Sequence, residues 1–185
     1  MTAHGQVLEF DHHPVEELAT ESFDADSMSD VIDLRDPMHR LRQLSDGSPL
    51  QVLRECDGAV SAIGTLGDTE CVLFATDPRR KGGALGVESC AAIVDAYNTA
   101  LQLDIPVVGV WQSGGARLPE GAGGLDAVGS VFAVMTRVSG VIPQISVVLG
   151  PAAGGAAYGP ALTDVVIVGP SARVFVTGPD IVNSV

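Results

Sequence analysis

A chain of 185 residues that is 46% hydrophobic can bury one sizeable core and is too short for two. Its net charge of −13 excludes a nucleic-acid binder, which needs clustered Lys and Arg, and a polybasic membrane patch. Cys56, Cys71 and Cys90 show no C-x-x-C spacing, so they read as free thiols in a reducing cytosol rather than disulfides or zinc ligands.

Residues 1–30 carry Glu9, Asp11, Glu16, Glu17, Glu21, Asp24, Asp26 and Asp30, and no Lys or Arg. Their scattered apolar residues bury too little surface to offset the entropy of ordering, which predicts a disordered acidic tail. A short docked helix around Val15–Thr20 is the alternative. No basic stretch followed by an apolar run marks a signal peptide, and no window nears the ~18 apolar residues of a membrane helix. A cytoplasmic protein is expected.

One domain is expected over 31–185. Pro37, Leu41 and Leu44 predict a short amphipathic helix over Asp36–Leu44, closed by the turn Asp46-Gly47. Strands at Gly58–Leu66 and Glu70–Thr76 flank the hairpin dipeptide Gly67-Asp68. A helix at Ser89–Leu103 precedes the apolar strand Pro106–Trp111. A helix at Gly124–Ser139, a strand at Gln144–Leu149, a small-residue helix from Gly155, and strands at Asp164–Val168 and Arg173–Val176 complete the order.

Apolar runs without alternation, separated by helices, predict parallel strands covered on both faces, hence an α/β fold. The early hairpin argues against a plain doubly wound sheet and for repeated β-β-α units. Gly178-Pro179-Asp180 reads as a helix start with five residues left, so the domain looks truncated.

Three glycine-rich runs are candidate sites. Ser113-Gly114-Gly115-Ala116-Arg117 follows an apolar strand, where successive N–H groups can form an anion-binding concavity and Arg117 adds charge. Its spacing fits neither G-x-G-x-x-G nor a P-loop, and a tight strand-to-helix turn needs the same glycines. In the run from Gly150 to Gly159, Gly154 and Gly155 would sit at the positive end of a helix dipole and form an oxyanion hole; close helix–sheet packing needs the same small residues. Tyr158 either holds that loop or packs. Arg79, Arg80 and Lys81 precede Gly82, Gly83 and Ala84, either as a nucleotide-phosphate contact or as a solvated charge run. No titratable residue beside the two later loops is placed as base or nucleophile. His4, His12, His13 and His39 all lie early in the chain, which disfavours a Ser-His-Asp triad or a His metal site.

SGGARLPEG at Ser113–Gly121, ISVVLGPAAGGAAYGPALTD at Ile145–Asp164 and RVFVTGPDIV at Arg173–Val182 closely resemble the β-type carboxyltransferase subunits of propionyl-CoA and related acyl-CoA carboxylases. DPMHRLRQL at Asp36–Leu44 and KGGALG at Lys81–Gly86 fit the same pattern. The resemblance implies a crotonase (ClpP)-like spiral of β-β-α units and transfer of CO2 from carboxybiotin to the α carbon of a coenzyme A thioester. Biotin would arrive on a biotin carboxylase or carboxyl carrier partner, and the full-length family forms homo-oligomers, a hexamer among them. By position, Gly154 and Gly155 match an oxyanion pair, and Ser113–Arg117 and Lys81–Gly86 match loops lining the CoA channel. In the family a second pair belongs to a C-terminal domain beyond this sequence, so the chain alone would carry half a site.

Two other readings stay open on sequence. One is the carboxyltransferase subunit of a biotin-dependent acyl-CoA decarboxylase. The other is a non-catalytic assembly subunit of the carboxylase complex.

Overall fold

The computed structural model describes residues 33–178. The tail expected over 1–30, the alternative helix at 15–20 and the helix start after Gly178 lie outside those residues. Helix α1 (Pro37–Leu44) begins where the Asp36 carboxylate accepts the His39 N–H at 2.7 Å, with Pro37 in the first turn where a missing N–H costs nothing.

Strands β1 (Gln51–Cys56), β2 (Ala59–Leu66) and β3 (Thr69–Thr76) form an antiparallel meander. Two-residue turns at Asp57-Gly58 and Gly67-Asp68 join them, with Gly58 and Gly67 at φ 106° and 56°. Strand β1 was not expected from sequence. It is an edge strand whose residues are half-buried or exposed, so it lacks apolar alternation. The Asp57-Gly58 dipeptide was the signal that could have revealed it.

After a left-handed turn at Lys81–Gly83, helix α2 (Val87–Leu103) leads to β4 (Val107–Ser113), parallel to β3. A turn at Leu118–Glu120 and helix α3 (Gly121–Val138) lead to β5 (Gln144–Ala153), parallel to β4. Helix α4 (Gly155–Ala161) and strands β6 (Val165–Val168) and β7 (Arg173–Phe175) follow. Both β6 and β7 run parallel to β5 on one side, β6 at Ile145–Val148 and β7 at Pro151–Ala153. Strand β5 is thus four residues longer than expected. Gly150 and Pro151 do not break it, because β7 gives its far end a partner.

The sheet is covered on both faces. On one face α2 and α3 bury Ile93, Tyr97, Val131 and Met135 against Val72, Phe74 and Trp111. On the other, Leu41 of α1 meets Val60, Leu73, Val108 and Val110. Phe74 stacks edge-on to Trp111 with ring centroids 5.1 Å apart, and the indole N–H donates to Ser146 Oγ at 3.0 Å. Gly109 lies on the Phe74 ring, where a Cβ would come within 2.3 Å of Cζ. No helix among the described residues is long and apolar enough to cross a membrane.

Candidate active site

Parallel strands end on the same side of a sheet, so the glycine runs after β3, β4 and β5 collect there. The Gly114 N–H donates to Gly82 O at 3.1 Å and the Leu85 N–H to Gly115 O at 2.7 Å. The Arg117 N–H returns to Leu85 O at 2.8 Å. Gly83, at φ 75°, lies so close to β4 that a Cβ would be 2.1 Å from Gln112 O. Gly115, at φ 102°, passes Ala153, where a Cβ would be 2.9 Å from the carbonyl oxygen. The Ser113–Arg117 loop therefore lies between the other two runs.

A cleft of about 290 Å³ opens beside it, lined by Gly114, Gly115, Ala116, Leu118, Leu125, Ala153, Gly154, Gly155 and Val176–Gly178. Lys81–Ala84 do not line it. They back the Ser113–Arg117 loop, and the Lys81 backbone is itself left-handed at φ 49°. Ser113 is buried, and its Oγ accepts the Gly115 N–H at 3.2 Å, so it shapes the loop from within.

Arg117 also departs from expectation. Its guanidinium points away from the cleft, 7% exposed, with NH1 at 3.2 Å from Asp57 Oδ2 and 3.3 Å from Glu120 Oε1. Glu120 Oε2 in turn accepts the Val87 N–H at 2.6 Å at the start of α2, and Gly86 leaves room, since a Cβ there would sit 2.5 Å from Glu120 Oε1. One carboxylate thus ties α2 to the β4 loop, while Asp57 ties the loop to the β1–β2 turn. Neither acid was singled out from sequence; only the Arg117–Glu120 spacing of three hinted at a pair.

Of the two amides expected as an oxyanion pair, one is engaged. The Gly154 N–H donates to Phe175 O at 3.1 Å, so it is spent on holding β7. Gly155 opens α4, where the first N–H groups have no intrahelical acceptor. Among the described residues neither Gly155 nor Ala116 gives its N–H to a backbone acceptor, and both line the cleft. Ala116 and Gly155, one from each loop, therefore present amides at the cleft that no backbone acceptor among the described residues takes. Tyr158 holds the loop: its hydroxyl donates to Val176 O at 3.2 Å on the cleft wall. No His, Cys, Asp, Glu or Lys side chain is among those lining residues.

The cation run Arg79–Lys81 is partly committed elsewhere. Arg79 pairs with Asp77 at 2.8 Å and Asp36 at 2.5 Å. Burial opposes ionisation of Asp77, yet its hydrogen bonds to Arg79 hold the carboxyl below the usual range. The adjacent 480 Å³ cleft holds Asp36, Glu55, Asp57 and Asp77 against Arg79 and Arg80, a net negative lining that does not suit phosphate.

A spiral of β-β-α units with small-residue loops gathered at its strand ends defines a crotonase-like fold. The chain belongs to the carboxyl transferase domain family, which it matches over residues 40–185. It is 54% identical over 162 residues to the biotin-dependent acetyl-/propionyl-coenzyme A carboxylase beta6 subunit of Mycobacterium tuberculosis, covering 86% of this chain and 34% of that protein. It is 43% identical over 130 residues to methylmalonyl-CoA decarboxylase subunit alpha of Veillonella parvula, covering 70% of this chain and 26% of that one. A transcarboxylase 12S hexamer structure with methylmalonyl-coenzyme A bound superposes with a TM-score of 0.74 at 33% identity, covering 80% of this chain and 32% of that chain. The chain spans between about a quarter and a third of the length of the curated relatives it matches.

Proposed function

We propose that this chain is the carboxyltransferase component of a biotin-dependent acyl-CoA carboxylase and that its cleft takes the acyl thioester. The observation that carries this reading is the cleft: among the described residues it has an apolar lining without a titratable side chain, and the Ala116 and Gly155 amides there have no backbone acceptor. Such donors suit an oxygen that gains negative charge, since they need no reorganisation as the charge forms. The Ala116 and Gly155 N–H groups would polarise the thioester carbonyl and hold the enolate oxygen after the α-proton leaves, while Leu118, Leu125 and Val176 would shield the acyl carbons from water.

The residues present fit a base that comes from outside: among the described residues lining the cleft none has a carboxylate, imidazole, thiol or amine side chain to accept a proton. Carboxybiotin, delivered by a biotin carboxylase or carrier partner, supplies both the CO2 and the base when bound. Self-association, as in the 12S hexamer, and a cytoplasmic location suited to the free thiols of Cys56, Cys71 and Cys90 belong to the same reading. The greater identity to a carboxylase subunit than to a decarboxylase subunit supports the direction of transfer.

Calorimetry with propionyl-CoA tests it. Saturable heat is expected. A chain that folds and gives none would be a scaffold. Gly155→Ala refines the test, because its Cβ would press within 2.8 Å of Val128 Cγ1 and displace the amide. In a subunit containing this chain, a misplaced donor should lower turnover by ~10²–10³. Gly129→Ala, with nothing within 4 Å of the new Cβ, should leave turnover intact.

A further inference from the structure

Arg40 is a charge that the ordinary reasons for burial do not explain. It is 7% exposed, donates from Nε to Leu34 O at 2.8 Å and from NH2 to Gln112 Oε1 at 2.6 Å, and its NH1 finds no partner among the described residues. No carboxylate among those residues lies within ion-pair distance, whereas Arg79 and Arg117 each hold two. Burial opposes its charge and outweighs Asp33 and Asp77, which favour it only from beyond ion-pair distance. Replacing such a group together with its partner by apolar side chains is commonly neutral or better, whereas removing one partner alone strands the other.

Its partner explains its presence. Gln112 is the residue where the glycine runs cross. Its N–H and C=O both engage Thr76 Oγ1, at 2.9 and 3.0 Å, which locks β4 to β3. Its carbonyl oxygen is the atom against which Gly83 packs. Its side chain lies over Gly150, where a Cβ would come within 2.5 Å of Cδ. Gln112 stands four residues before Ala116, and Gly150 five before Gly155. The Gln112 side chain thus lies between β4 and the Gly150 stretch of β5, and Arg40, reaching across from α1, donates to it.

We infer that Arg40 is a positioning residue: through Gln112 it holds the Ala116 and Gly155 amides at the separation an enolate oxygen requires. The inference rests on the thioester reading of the cleft. It sets the role of α1, which touches no part of the cleft, and it gives Arg40 a task beyond its two hydrogen bonds.

The test compares the whole chain with Arg40→Met, Arg40→Lys, Gln112→Leu and the double variant Arg40→Met/Gln112→Leu. It measures the melting temperature and propionyl-CoA binding by calorimetry. Arg40→Met should melt somewhat below the parent, because Gln112 Oε1 loses its donor. It should bind the thioester roughly two- to tenfold more weakly, the worth of about one hydrogen bond to a displaced amide and more than the loss of stability accounts for. Arg40→Lys, which can still donate to Gln112 Oε1, should restore part of the affinity. The double variant should bind no more weakly than Gln112→Leu, because both act through one contact. Parent-like affinity in Arg40→Met would overturn the inference. So would a fall in melting temperature that accounts for the lost binding, because it would make Arg40 an ordinary structural residue. Failure of the parent chain to bind thioester would instead remove the functional reading on which the inference stands.

Discussion

Gly82 and Gly83 form a matched pair for testing how the site loops are held. Both have left-handed backbones, at φ 63° and 75°, so replacing either by alanine incurs the same Cβ penalty, about 1–2 kcal/mol. They differ in surroundings: an alanine Cβ at 82 meets nothing within 4 Å, whereas one at 83 would be 2.1 Å from Gln112 O and 3.1 Å from Ser113 Cα. Those are main-chain atoms of a paired strand, so they cannot swing aside. Overpacking of this kind adds about 1–3 kcal/mol. Gly82→Ala should therefore cost about 1–2 kcal/mol and Gly83→Ala about 2–5 kcal/mol. For a chain of this size the difference is roughly 2–12 °C in melting temperature, at about 2–4 °C per kcal/mol. Urea unfolding of both variants reads it directly, with m unchanged. Gly83→Ala should also weaken propionyl-CoA binding, because relief of the clash moves the Ser113–Ala116 segment. Equal midpoints for the two variants would refute the claim that the left-handed turn is packed against β4.

Glu120→Ala removes the acceptor for the Val87 N–H and one of the two carboxylates at Arg117. A loss of about 1–2 kcal/mol is expected, of the size of a lost helix cap, and urea midpoints for Glu120→Ala and Glu120→Gln would check it, the amide retaining part of the cap. Alkaline stability is a separate matter: burial pushes the Cys71 thiol up to about 11 and Cys90 to about 12, from an ordinary 9.0, and pushes the Tyr97 hydroxyl up as well. Because these folded-state values are raised, their contribution is complete below pH 9 and is lost as pH rises. As pH rises from 9 toward 11 the slope should approach about 2.8 kcal/mol per pH unit for the two thiols together, at about 1.4 for each. Denaturant midpoints measured from pH 8 to 10.5 in the parent and in Cys71→Ala/Cys90→Ala would show a slope in the first and a shallower one in the second.

Much of the architecture was legible in the amino-acid order, because buried parallel strands leave uninterrupted apolar runs such as Pro106–Trp111 and helices that pack closely leave Ala at regular spacing, as from Ala92 to Ala100. The Gly67-Asp68 hairpin was legible for the same local reason: a two-residue turn demands positive φ within a few bonds. The glycine runs were recognisable as places of close backbone approach. Which atoms approach was not, because that depends on strands distant in sequence lying side by side. Gly154 looked like a donor until β7 came round to place Phe175 O on its N–H, and Arg117 looked like a charge for a ligand until Asp57 and Glu120 took it. Strand β1 was missed since an edge strand needs no apolar alternation. Sequence by itself determined every helix and strand but β1, their α/β order and the family the chain belongs to. Tertiary structure alone decided which amides remain unspent, because a hydrogen-bond donor is free or taken only by virtue of neighbours that folding brings to it.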